Sequence, residues 1–275
     1  MARRASGYGR ALALWARRYP LAPRYEPSER AWLRTVDGLR LAAARLDGPA
    51  DAAFSVVLVH GFLGSSRTPL VHAFARALSR RAPVVVPDLR GHGGSEGRTT
   101  LGDLEALDVD AAVRAAAPGL PVVTVGMSMG AAAVLRHAAL FGGVAGAVAI
   151  SPPGWWAPRD RPGTARVERL VTSPAGRHLA RRLLRTRIGV CDPRTPILEL
   201  VDRIAPAFTI VVQDPADSYF APEHGCALYE RANHPKALWT VPGAGHGSDI
   251  LTPAFAGRLL DELSARSGRA QPGPR

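Results

Sequence analysis

The chain has 275 residues, 47% of them hydrophobic and 21% charged, with a formal net charge of +12. That is enough to bury the core of one large α/β domain without disulfides or a structural metal. No run reaches the roughly 18 to 20 apolar residues that cross a bilayer, and the apolar segment at residues 11–16 lacks the longer uninterrupted core and the small-residue cleavage site of a secretory signal, so none is expected. The expected setting is cytoplasmic. The charge does not point to nucleic acid, because Lys236 is the only lysine. An arginine excess beside abundant alanine, glycine and proline is what a bias in the coding DNA produces, whereas a phosphate-binding stripe would mix both basic residues with aromatics. Weak attraction to an anionic membrane surface stays open, through the N-terminal arm and the cluster Arg177, Arg181, Arg182, Arg185 and Arg187. Cys191 and Cys226 have neither metal-ligand spacing nor the density of a disulfide scaffold, and are expected as free thiols.

Residues 1–30 form a basic arm in which Pro20, Pro23 and Pro27 forbid a long helix, leaving room for a short one over Tyr8–Arg18. Trp32–Val36 and Leu39–Leu46, joined by Asp37-Gly38, predict a β-hairpin with a two-residue turn. Short β-branched runs then follow at Ser55–Val59, Val84–Val86, Val122–Val125, Gly146–Ile150, Phe208–Val212 and Ala237–Val241. Such runs suit strands buried on both faces. Helical stretches at Pro69–Ser79, Leu101–Ala116, Met129–Leu140, Pro222–Ala232 and Ser248–Ala265 separate them. The alternation implies a mostly parallel sheet with helices on both faces, led in by the antiparallel hairpin. One connection is far too long: Pro152 to Ala207 runs about 55 residues where a few suffice. It carries Trp155, Trp156 and a basic amphipathic stretch over Val167–Leu184, and reads as a small cap inserted after the sixth strand. The domain would then span 31–265, with the cap at about 152–207 and a disordered tail at 266–275.

Gly126-Met127-Ser128-Met129-Gly130 ends the fifth strand and opens a helix, the sequence form of a nucleophile elbow. A serine in such a turn must take a positive φ, and a side chain at either glycine would strike the neighbouring strand or helix. Serine attacks only when a base takes its proton, and the base needs a third group to orient it. In this topology the acid belongs after Phe208–Gln213 and the histidine after the last strand. Asp214 and Asp217 occupy the first place and His246 the second. The plainer roles are Ser128 as a helix N-cap and His246 as a surface-loop residue. His60 and His92 read as structural. His72, His137, His178, His224 and His234 show no ligand spacing, so no metal site is expected.

These motifs, with His60-Gly61-Phe62 after the third strand and Asp88-Leu89-Arg90-Gly91-His92-Gly93-Gly94-Ser95 after the fourth, resemble those of α/β-hydrolases of the serine-esterase and lipase type over about residues 31–265. The longer motif and the medium cap look most similar to the monoacylglycerol lipase and lysophospholipase branch. The resemblance implies an α/β-hydrolase fold, Ser128 as nucleophile, His246 as general base and acid, Asp217 as orienting carboxylate, and an oxyanion hole from the backbone N–H groups of Phe62 and Met129. Family members commonly carry glycine where this chain has Asp214, so two carboxylates compete, with Asp217 favoured because Asp214 lies so close to the strand end. Trp155 and Trp156 read either as substrate-pocket walls or as the cap's own core. The implied reaction is hydrolysis of a small-molecule ester with small to medium acyl chains through an acyl-enzyme, without a cofactor. The same triad also serves thioester or amide hydrolysis, carbon–carbon bond hydrolysis, perhydrolysis and acyl transfer. A non-catalytic, membrane-peripheral binding protein on this scaffold is the rival from another class. Dehalogenases and epoxide hydrolases carry aspartate at the elbow, where this chain has Ser128.

Overall fold

The computed structural model describes residues 30–156, 159–189 and 195–267; the arm with its expected short helix, Cys191 and the segment from 268 onward lie outside them. The hairpin strands are β1 (Arg30–Arg34) and β2 (Arg40–Leu46). Their turn differs from the two-residue expectation. Thr35 N–H still donates to Leu39 C=O at 3.0 Å, so Val36, Asp37 and Gly38 make a three-residue loop. Of the three only Gly38 has a positive φ, +88°, as in the hairpin that closes a type I turn on an αL glycine. A two-residue turn would also need a positive φ at Asp37, whose carboxylate instead accepts from Arg90 at 3.0 and 3.2 Å.

The remaining strands are β3 (Ser55–Val59), β4 (Val84–Pro87), β5 (Val122–Met127), β6 (Gly146–Ile150), β7 (Phe208–Gln213) and β8 (Lys236–Thr240). They complete one sheet in the order β1-β2-β4-β3-β5-β6-β7-β8. β2 is antiparallel to both β1 and β4, and the other pairs are parallel. The helices are α1 (Pro69–Leu78), α2 (Glu105–Arg114), α3 (Met129–Leu140), α4 (Pro162–Thr172), α5 (Pro174–Leu183), α6 (Pro222–Arg231) and α7 (Pro253–Ser267). Every residue of β3 is buried, because both sheet faces are covered. Val56 and Leu58 pack with Phe74 of α1 and Phe255 of α7, whose rings stack at 5.9 Å. Val57 and Val59 join Val109 of α2 and Val134 of α3 on the other face. Each such aliphatic side chain contributes about 1.5–3 kcal/mol on burial, which fixes the strand ends as a rigid platform for the site.

Three helical expectations shift where proline or a captured carboxylate intervenes. The stretch over Leu101–Ala116 turns helical only at Glu105, because its buried carboxylate accepts the N–H groups of Thr100 (2.8 Å) and Gly102 (2.9 Å) and holds that segment as a loop. Ser248–Ala265 is divided into a 3-10 turn, Gly247–Ile250, and α7, which starts at Pro253 and runs through Ser267, into the stretch expected as tail. In the cap the Val167–Leu184 stretch is two helices. Pro174 opens α5, and the Ser173 hydroxyl caps it by accepting Gly176 N–H at 3.0 Å.

The cap's small core, Val171, Ala180, Leu184 and Ile188, packs on Phe62, Leu63 and Leu101, directly above the ends of the parallel strands. The stretch after α5 is zipped to the loop after β4: Arg187 N–H donates to Gly91 C=O (2.7 Å), Thr99 N–H to Arg187 C=O (2.8 Å) and Gly189 N–H to Thr99 C=O (2.9 Å). The Arg187 guanidinium binds the carbonyls of Gly97 (3.0 Å) and Ser95. Arg187 is thus a clamp, and it leaves the group of exposed cap arginines to which its charge had assigned it.

Candidate active site

At the elbow between β5 and α3, Ser128 has φ +54° and ψ −119°, an unfavourable conformation for a residue with a side chain. A Cβ on Gly126 would lie 2.2 Å from Gly130 O, and one on Gly130 would lie 2.5 Å from His60 O and 2.6 Å from Val59 O. Both collisions are with backbone, so neither position accepts a larger residue. Ser128 occupies the N-cap position of α3, yet its side chain makes no capping bond. Its N–H is tied to Ile150 C=O at 2.8 Å, and its Oγ stands 3.0 Å from His246 Nε2.

His246 sits on the loop after β8, and that loop is pinned at successive amides. Asp214 accepts from Gly243 (3.2 Å) and Gly245 (2.6 Å), Asp249 from His246 (3.3 Å) and the Ser151 hydroxyl from Gly247 (3.1 Å). The imidazole Nδ1 meets Asp217 Oδ2 at 2.7 Å. Since an ionised carboxylate only accepts, the ring proton belongs on Nδ1, leaving the Nε2 lone pair for the Ser128 hydroxyl. Asp217 is fully buried, and its Oδ1 accepts the N–H groups of Tyr219 (2.7 Å) and Phe220 (3.2 Å). Tyr219 lies against the imidazole face, centroids 4.1 Å apart. Of the two competing carboxylates, it is Asp217 that reaches the ring. Asp214 holds its own turn and the histidine loop through amides. Burial alone would raise its pKa, but the N–H groups of Ala216, Gly245 and Gly243 bring it below the usual carboxylate range.

Phe62 and Met129 border the same cavity, and among the described residues neither backbone N–H donates to a protein acceptor. The loop carrying Phe62 is set by two neutral histidines. His60 Nε2 accepts Leu89 N–H at 3.0 Å, and His92 Nε2 accepts Leu63 N–H at 3.3 Å, while their Nδ1 atoms face the Gly61 and Arg90 carbonyls at 2.8 and 3.0 Å. Burial pushes both below the ordinary histidine range, His92 to about 3 with a further contribution from His60. The cavity, ≈ 140 Å³, is walled by Leu63, Val71, Leu101, Met127, Trp156 and Val167, and no Asp, Glu, Lys or Arg lines it. The two tryptophans part company. Trp156 borders the cavity, whereas Trp155 turns away and stacks on His224 at 3.9 Å. Tyr219, Ser151 and Asp249 escaped the sequence reading, and only Ser151, a polar residue just past a strand end, had even a positional cue.

Among the described residues no cluster of three or more His, Cys, Asp or Glu side chains could hold a metal ion, and no helix is long and apolar enough to cross a membrane. Residues 56–261 match the family model described as the alpha/beta hydrolase family. No curated protein matches the chain. Among solved structures the chain is similar to the esterase Pf2001 of Pyrococcus furiosus, with 21% identity and a TM-score of 0.66 over 90% of this chain and 97% of that one. The alpha/beta hydrolase GrgF from Penicillium sp. sh18 gives 18% and 0.68 over 90% and 99%. The esterase RhEst1 from Rhodococcus sp. ECU1013 gives 20% and 0.64 over 87% and 98%. With the family model covering most of the domain, and an eight-stranded sheet whose elbow, acid turn and histidine loop meet at one edge, this chain belongs to the α/β-hydrolase family.

Proposed function

We propose that the protein is a serine hydrolase that cleaves carboxylic esters of small to medium acyl chains. The observation that carries this reading is the unbroken relay from Ser128 Oγ through His246 to Asp217, at 3.0 and 2.7 Å, opening into an apolar cavity. His246 Nε2 takes the hydroxyl proton as Ser128 Oγ attacks the acyl carbon, and Asp217 stabilises the imidazolium that forms. The oxygen of the tetrahedral intermediate gains its charge beside the N–H groups of Phe62 and Met129 and the N-terminus of α3. Each such donor is typically worth about 3 kcal/mol in the transition state. His246 then protonates the departing alcohol, and a water activated by the same nitrogen releases the acid. The chemistry needs no cofactor.

A cavity of ≈ 140 Å³ is near the size of one that takes benzene, so about six carbon atoms fill it. Without a charged wall it favours an acyl chain over a charged group. Turnover of p-nitrophenyl esters of graded acyl length, beside thioester and amide counterparts, tests the reading. Hydrolysis of the short esters is expected, together with fluorophosphonate labelling that disappears in Ser128→Ala. No labelling of the folded wild type would overturn it.

We also read the domain as residues 31–265 with its cap at about 152–207, and the cap as a weak partner for anionic membranes. Arg177, Arg181, Arg182 and Arg185 are exposed on or beside α5, next to the exposed Leu179 and Leu183. Co-sedimentation with phosphatidylserine vesicles that fades as salt rises is the expected result.

A further inference from the structure

One more histidine is enclosed at the base of the cap. His224, in the first turn of α6, is fully buried, and the reaction proposed above does not use it. Its Nδ1 accepts the backbone N–H of Gly154 at 3.1 Å. The proton of the neutral ring therefore sits on Nε2, which among the described residues has no hydrogen-bond partner and lies 3.6 Å from Asp160 Oδ2 at the start of the cap. The Trp155 indole lies flat on the ring at 3.9 Å and 25°, and Phe220 meets it edge-on at 5.4 Å. Pro153, Trp156 and Phe220 all border the cavity, and the Phe220 ring also stands 5.6 Å from that of His246. A single imidazole thus joins the segment that walls the cavity, an aromatic beside the triad and the first carboxylate of the cap.

We propose that neutral His224 is a positioning residue that clasps Gly154–Trp156 in place as a wall of the substrate cavity, and that a proton added to this ring opens the clasp. The Gly154 N–H can only donate, and the Nδ1 lone pair is its acceptor. Protonation there sets two donors face to face, and the bond is lost. The groups around the ring determine when this happens. Burial opposes the charge most strongly and holds the ring below the ordinary histidine range, against Asp160 from the cap, Glu223 from its own helix and Asp217 from the turn after β7, which favour it. At neutral pH the clasp is closed; in acid it loosens, and the wall formed by Trp156 goes with it.

The substrate named in the test rests on the esterase reading, whereas its optical arm does not. His224→Asn keeps an acceptor near the Nδ1 position and cannot take a proton; His224→Leu keeps bulk and loses the acceptor. In the full-length wild type, tryptophan emission is expected to shift with acid as the charge on the ring and the opening of the clasp change the surroundings of the Trp155 indole. That transition should vanish in both His224→Asn and Trp155→Phe. For p-nitrophenyl hexanoate, His224→Leu should raise KM about tenfold with kcat nearly unchanged, the cost expected of one orphaned amide, while the acetate ester is little affected. His224→Asn should restore KM and keep it flat into the acid range where that of the wild type climbs. Persistence of the emission transition in His224→Asn overturns the proposal, as does an unchanged KM in a folded His224→Leu. If the leucine variant does not fold, the asparagine variant and the emission titration decide. If no ester is cleaved, the esterase reading falls and the emission titration still decides the clasp.

Discussion

Replacing Ser128 by alanine removes the oxygen that faces His246 Nε2 at 3.0 Å, and steady-state kinetics should show kcat lower by about 10⁵–10⁶-fold with the fold retained. The two carboxylates near the histidine separate in the same assay. Asp217→Asn puts an amide where the Nδ1 proton must be accepted, favouring the wrong tautomer, and should cost about 10⁴-fold in kcat. Asp214→Asn weakens amide bonds to Gly243 and Gly245 instead, so its larger effect should be a lowered melting temperature. Ser128, Asp217 and His246 were legible in the sequence because the order of motifs along the chain reflects the order of strand ends in space. Tyr219 on the imidazole face and Ser151 on the Gly247 amide were not, because each acts through a contact that only the folded sheet creates.

At the level of elements, the loop after β4 does more structural work than chemistry. Asp88 accepts the N–H groups of Ser66 (2.7 Å) and Gly94 (2.9 Å), His92 fixes Leu63, and Arg90 reaches Asp108 in α2 at 2.8 Å and Asp37 in the hairpin turn at 3.0 Å. Burial pushes the Asp108 carboxyl up to about 7 even against the pull of Arg90. Arg90→Met leaves that carboxyl only the backbone N–H of residue 90 at 2.7 Å and takes away its ion pair, and urea denaturation should register a loss of about 3 kcal/mol. The same long reach explains the misread turn. Asp37-Gly38 locally favours two residues of positive φ, but a partner 53 positions away holds Asp37 elsewhere. Glu105 likewise shortens a helix that periodicity alone would have extended.

For the molecule as a whole, the alternation of apolar runs and helices made the sheet and its cap readable, because strands buried on both faces have little freedom in composition. Acid tolerance was not readable, since it depends on which histidines end up enclosed. His92 stays neutral in the fold down to about 3, whereas in the unfolded chain it binds a proton below about 6.5. The unfolded state thus holds the extra proton between those limits, and the contribution of His92 to stability, complete above about pH 6.5, should fall by about 1.4 kcal/mol per pH unit as acid is added. Urea titrations at stepped pH should show that slope reduced in His92→Gln.

The cap stretch at 187–189, hydrogen-bonded to Gly91 and Thr99 of the loop after β4, moors that side of the cap to the body. Hydrogen–deuterium exchange should therefore find the Thr99 and Gly189 amides among the slowest of the cap region, and those of α5, where only Ala180 is buried, among the fastest.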